Sequence, residues 1–215
     1  MTARRASYAE RRERADARRA ERGAEDDPAI VLDAAAAFLA VRPRSIDETR
    51  RRLARLGYRA QFVDIVIDRL MTFGYLDDHA FARSWVESRD RARPRGEVAL
   101  RRELTLKGVD REVISAVLAE RDGKVDEARH AHEPDDPESA SPAMGDQSAD
   151  DQAARRLIGR RSASLAREAD PRRRRQRIYA LLARNGFAPD VCARVSAESA
   201  TALDADALEG SLDDV

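Results

Sequence analysis

Apolar positions in this chain recur at helical spacing. Val63, Val66, Ile67, Leu70 and Met71 fall at i, i+3, i+4, i+7 and i+8, which is one stripe on a helix of 3.6 residues per turn. Leu53 and Leu56 follow Ser45-Ile46-Asp47-Glu48, a capping-box sequence that predicts a helix start. Asp77 or Asp78 stands before a helix carrying Phe81, Trp85 and Val86, and Asp110 before one carrying Val113, Ile114, Val117 and Leu118. Ile178, Leu181 and Leu182 mark a further helix. No stretch alternates with the period of a strand, and the few Gly and Pro fall between helical segments.

The pattern repeats. Leu53 to Gly57 and Tyr58, Leu104 to Gly108 and Val109, and Leu182 to Gly186 and Phe187 share one form: Leu, three residues, Gly, then an apolar residue. Five residues after each Gly stands Phe62, Val113 or Val191, and nine after stands Val66, Val117 or Val195. Pro43-Arg44 and Pro94-Arg95 share the 51-residue offset of Gly57 and Gly108, while Pro171-Arg172 is one residue out of register. In each unit a first helix is expected to end at the Pro-Arg pair, because the residue before Pro disfavours the helical conformation. A second ends at the Gly, in the left-handed C′ position, and a third follows. Nine helices in three triplets result, each too small to bury its apolar face alone, so the fold class is all-α: three tandem three-helix repeats in an elongated, curved array, with disordered tails and an acidic insertion.

Composition narrows the function. At 37% charged and 5% aromatic over 215 residues, the chain has little material for one thick core. The single cysteine, Cys192, excludes an internal disulfide or Cys-based zinc framework. The longest apolar stretch, residues 34–41, is far short of a membrane span of about 20 residues, and the N-terminal residues lack a secretory pattern. A cytoplasmic location with no membrane partner is the expectation.

The formal net charge is zero but is distributed in blocks. Residues 1–22 carry +4, 23–28 carry −3, 29–121 carry +4, 122–151 carry −8, 152–195 carry +9 and 196–215 carry −6. Such asymmetry points to an acidic or polyanionic partner for the basic parts. The domain reading is a charged, disordered N-terminal arm over 1–28, repeat 1 over 29–75, repeat 2 over 76–121, an acidic disordered insertion over 122–151, repeat 3 over 152–199 and an acidic tail over 200–215. The acidic segments read as solubilising linkers.

Gly74-Tyr75-Leu76-Asp77-Asp78 followed by Phe81-Ala82, then Pro94-Arg95-Gly96, Glu103-Leu104 and Lys107-Gly108-Val109, and finally Asn185-Gly186-Phe187, resemble the RecX family of recombinase regulators. The resemblance covers residues 29–122 and 152–199. It implies a cytoplasmic, cofactor-free, all-helical protein that binds the recombinase RecA, lies in the groove of the RecA–DNA filament and modulates it, most often by inhibition. The basic arm and the acidic insertion depart from the family pattern.

Candidate binding residues follow from the basic clusters on the second helix of each repeat. These are Arg50, Arg51, Arg52 and Arg55; Arg95, Arg101, Arg102 and Lys107; and Arg172, Arg173, Arg174, Arg175 and Arg177. A curved array would align them as a stripe for phosphates or an acidic filament surface. The competing reading is a solvated face with local ion pairs, which Asp47, Glu48 and Glu103 favour in repeats 1 and 2. Gly57, Gly74, Tyr75, Leu76, Asp77, Asp78, Phe81, Gly108 and Gly186 are assigned structural roles. Tyr75, Phe81 and Trp85 are expected in the core rather than stacking on bases, His79 exposed, and Cys192 as a small buried side chain. His130, His132 and Glu133 lie in the linker, where a metal site is not expected. No catalytic motif is present, so the expectation is a non-enzymatic, monomeric regulator with RecA and DNA as partners. The alternative is a nucleic-acid-binding protein acting without RecA.

Overall fold

A computed structural model of the chain describes residues 7–25, 27–130 and 148–209. Among them are eleven helices and no strand. They are α1 (Tyr8–Gly23), α2 (Pro28–Leu39), α3 (Ile46–Leu56), α4 (Ala60–Thr72), α5 (Asp78–Ala92), α6 (Glu97–Leu106), α7 (Arg111–His130), α8 (Ala149–Gly159), α9 (Ser162–Ala166), α10 (Pro171–Arg184) and α11 (Pro189–Glu209). The triplets are α2–α4, α5–α7, and α8 through α11. The two helices beyond nine are α1 and the short α9.

The helix ends obey the sequence logic. Gly57, Gly108 and Gly186 all have positive φ, at 105°, 77° and 79°. Ser45 caps α3 by accepting from Glu48 N–H at 3.0 Å. Asp77, not Asp78, caps α5, accepting from His79 N–H at 2.8 Å and Ala80 N–H at 3.1 Å. Pro171 opens α10 behind its N-cap Asp170, where the missing N–H and fixed φ suit the first helical residue. In the third repeat the Pro-Arg pair therefore starts the second helix rather than ending the first.

The chain divides into two compact units, one reaching through Phe81 and including Lys107–Asp110, the other Ala82–Leu106 with the residues from Arg111 onward. In the first, α2, α3 and α4 pack together around Val31, Ala35, Leu53, Val63, Val66, Ile67 and Leu70. Leu53 and Ile67 are fully buried. In the second, α6 packs on α7, α7 on α8, and α10 on α11. The α8–α11 core holds Ile158, Leu165, Ile178, Leu182, Phe187, Val191 and Val195. Cys192 is buried there as expected, its thiol donating to Phe187 O at 3.5 Å, and burial pushes the thiol pKa up.

Three expectations of disorder are corrected. Residues 8–23 form α1, stabilised at its start by a complete capping box between Ser7 and Glu10, although it buries no residue. Arg22 donates to Leu56 O at 3.4 Å, and Arg59 donates to Glu25 O at 3.2 Å. Residues 122–130 of the supposed insertion continue α7, and 149–151 begin α8. Ser148 and Asp151 supply a reciprocal capping box there, a Ser-x-x-Asp signature readable in advance. Residues 200–209 of the supposed tail extend α11. His132, Glu133 and the rest of 131–147 lie outside the described residues, as does the side chain of His130.

Candidate interaction surface

The functional question is which charges remain for a partner after the repeats have joined. Each joint uses the same geometry. In the first unit, the N-terminus of α3 meets Lys107 and Gly108. Ser45 Oγ donates to Lys107 O at 2.5 Å, and Lys107 Nζ donates to Glu48 at 2.7 Å. Gly108 sits against Asp47, where a Cβ would collide with the carboxylate. In the second unit, Gly96 N–H donates to Asn185 O at 3.1 Å, and Gly186 sits against Ala99 with no room for a Cβ.

Carboxylates complete each joint. Asp78 accepts from Ile46 N–H at 2.9 Å, and burial raises its pKa. Asp150 accepts from Glu97 N–H at 2.9 Å and from Arg121 at 2.6 Å. Arg121, itself 9% exposed, also holds Asp90 at 2.9 Å. Burial opposes its charge, and the hydrogen bonds to Asp90 and Asp150 more than offset that, leaving its pKa raised. Asp151, 1% exposed, pairs with Arg194 at 2.8 Å. Composition alone placed Asp150 and Asp151 in a solvated linker, whereas they are buried partners of arginines.

The α3 cluster is half compensated, since Arg52 and Arg55 are exposed with no ion pair among the described residues. Arg50 pairs with Asp64 at 3.3 Å and Arg51 with Asp47 at 2.5 Å. Arg52 lies 5.8 Å from the centre of the Phe38 ring, and Arg55 donates to Arg51 O at 3.2 Å. The capping box at Ser45 is half formed, because Glu48 turns instead to Arg42 at 3.1 Å and to Lys107. Burial works to raise the Glu48 pKa, but hydrogen bonds from Arg42 and Lys107 prevail and hold it at about 2.

In repeat 2, Arg95 donates to Asn185 at 2.9 Å, and Arg101 pairs with Glu97 at 2.7 Å. Arg102 is exposed and has no ion pair among the described residues. Trp85 is half-buried, its Nε1–H donating to Glu103 at 2.8 Å beneath Arg89, and Phe81 is buried. Tyr75 corrects the core assignment: it is 72% exposed, beside Phe73 at 64%. The αL turn at Gly74 sends Leu76 inward and leaves Tyr75 outside. His79 is half-buried rather than exposed.

Repeat 3 keeps the most available charge. Arg174 drops out, because it is 5% exposed and its guanidinium donates to Glu168 O at 2.7 and 3.0 Å. Arg173 is held loosely by Asp170 at 3.6 Å, and Arg177 by Glu168 at 3.4 Å. Arg172 and Arg175 are exposed and have no ion pair among the described residues. The cluster reasoning missed Arg161 and Arg184. They share a cavity of about 330 Å³ with Arg177, and only the packing of α9 on α10 brings them together. Among the described residues no group of three metal-ligating side chains occurs, and no helix is long and apolar enough to cross a membrane.

Models of the first, second and third three-helix domains of RecX match residues 32–70, 77–118 and 149–195. Regulatory protein RecX of Pelodictyon phaeoclathratiforme is 41% identical over 85 residues, 40% of this chain and 53% of that protein. The RecX of Prosthecochloris aestuarii is 37% identical over 98 residues, 46% of this chain and 65% of that protein. The aligned part thus spans about half to two thirds of the length of these relatives. The crystal structure of RecX from Lactobacillus salivarius matches 80% of this chain and 96% of that one, with a TM-score of 0.61 and 17% identity, a likeness of fold.

Proposed function

The chain belongs to the RecX family, and from that premise we propose that it binds the RecA recombinase filament and limits its assembly, ATP hydrolysis and recombination activity. The observation that carries this reading is the presence of all three RecX three-helix domains, in order, in one chain. Linked units favour multipoint binding in the filament groove, since each bound unit raises the effective concentration of the next. A protein seated there obstructs monomer addition, entry of duplex DNA and the ATPase cycle. In this reading it acts in the cytoplasm as a monomer, without cofactor or catalysis of its own. The exposed arginines of α10 supply charge toward the acidic or phosphate-bearing surface of the filament.

The test is RecA's single-stranded-DNA-dependent ATP hydrolysis, titrated with this protein at constant DNA. The expected result is inhibition at well below one molecule per RecA. Inhibition only at ratios that saturate the DNA would instead favour RecA-independent nucleic-acid binding, a reading supported by the exposed Arg172 and Arg175. No effect at any ratio, with RecA of the same organism, would overturn the proposal.

A further inference from the structure

The cavity between α9 and α10 differs from the other basic clusters in having no acid in its lining. Arg161, Ser164, Leu165, Arg177, Leu181 and Arg184 enclose it together with Ala180. Three arginines thus line one hollow of about 330 Å³ beside Leu165, Ala180 and Leu181. Arg161 and Arg184 are exposed and have no ion pair among the described residues. Arg177 meets Glu168 outside the lining, at 3.4 Å and half exposed, a contact of little worth in water. Three like charges gathered around one hollow repel each other unless an anion enters.

We propose that this cavity is a phosphate-binding site through which repeat 3 holds the backbone of nucleic acid. The guanidinium fork matches phosphate oxygens two at a time, which an ammonium does not. Arg173, Arg177 and Arg184 stand at i, i+4 and i+11 on α10. They form one line of charge roughly 16 Å long at about 1.5 Å per residue. A linear row of positive charges suits a polymer with regularly spaced negative ones, and Leu165, Ala180 and Leu181 give a sugar an apolar rest. The backbone carries no sequence information, so binding at this site is indifferent to sequence. The assignment stands apart from the RecA reading, because it concerns a contact made without RecA.

The experiment uses the full chain without RecA and a fluorescein-labelled oligothymidylate, followed by anisotropy across a salt series. The double variant Arg161→Ala/Arg184→Ala is compared with the wild type and with Arg83→Ala, which removes an exposed arginine of α5 outside every candidate cluster. Thermal melting followed by circular dichroism verifies that all three fold. The expected result is roughly tenfold weaker binding by the double variant, with a salt slope shallower by about 1.4, from about 0.7 per lost single-strand phosphate contact. Arg83→Ala should leave both unchanged. An unchanged slope in the double variant, or an equal loss per arginine in Arg83→Ala, would overturn the site. In a second arm, inorganic phosphate and chloride compete at matched ionic strength. Stronger displacement by phosphate in the wild type alone supports phosphate recognition, and equal displacement overturns it. In a third arm, polyglutamate that displaces the oligonucleotide as well as unlabelled oligothymidylate does would assign the cavity to an acidic protein and overturn the nucleic-acid reading.

Discussion

Asp78, at the start of α5, accepts a hydrogen bond at 2.9 Å from the backbone N–H of Ile46, the first residue of α3. A carboxylate of one repeat thereby satisfies an orphan donor at a helix start of the preceding repeat, where the helix dipole also favours negative charge. Asp150 does the same for Glu97 at the next joint, and Ile46 and Glu97 are 51 residues apart, the repeat offset itself. The second Asp of the Gly-Tyr-Leu-Asp-Asp run is thus a joint residue, and the first is the local cap.

Replacing these carboxylates should weaken the two joints unequally. Asp78→Ala removes a cap and should cost about 1–2 kcal/mol in urea denaturation. Asp150→Ala also strips a partner from the buried Arg121 and should cost about 3–5 kcal/mol. Equal small losses would show that the Arg121 network contributes no more than an ordinary cap.

Close approach at Gly108 and Gly186 makes them intolerant of a side chain. Both have positive φ, and each would drive a Cβ into the neighbouring repeat. Gly186→Ala should therefore lose more than the roughly 1 kcal/mol of the left-handed strain alone, seen as a fall in Tm of several degrees.

The triad of Arg42, Glu48 and Lys107 makes stability depend on acid. The folded pKa of Glu48, about 2, lies below its ordinary value of 4.5. Its contribution is thus present in full above about pH 4.5 and is lost as pH falls through the folded pKa toward 2. Between pH 5 and 2 the chain should lose stability more steeply than Glu48→Gln, as measured by urea midpoints. Parallel curves would refute the assignment.

Among the α10 arginines, burial separates structure from availability. Arg174→Ala should destabilise by about 1–3 kcal/mol, since it removes both side-chain donors to the part-buried Glu168 carbonyl. Arg172→Ala and Arg175→Ala should stay within about 0.5 kcal/mol. Any role of theirs would appear only in partner binding.

Helix positions, repeat register and left-handed glycines were legible in the residues because their causes are local. A stripe at 3.6 spacing, a Ser or Asp before it and a Gly after it act within a few residues of chain. The Ser148-x-x-Asp151 cap was equally local, and it was masked only by the acidity of its surroundings.

Charge was not legible in the same way. Asp150 and Asp151 are buried ion-pair partners while Arg172 is exposed, yet all three stand in runs of like residues. What separates them is the partner that folding brings within hydrogen-bonding distance, and in the Arg121–Asp150 pair that partner lies 29 residues away. Tyr75 and Leu76 differ for a related reason, since the backbone turn at Gly74 points one outward and the other inward. The sequence by itself determined the nine repeat helices, their order and their threefold repetition. Tertiary structure alone decided which charges the joints consume and which remain free, because Coulomb and hydrogen-bond energies depend on distance and burial, and only packing sets those.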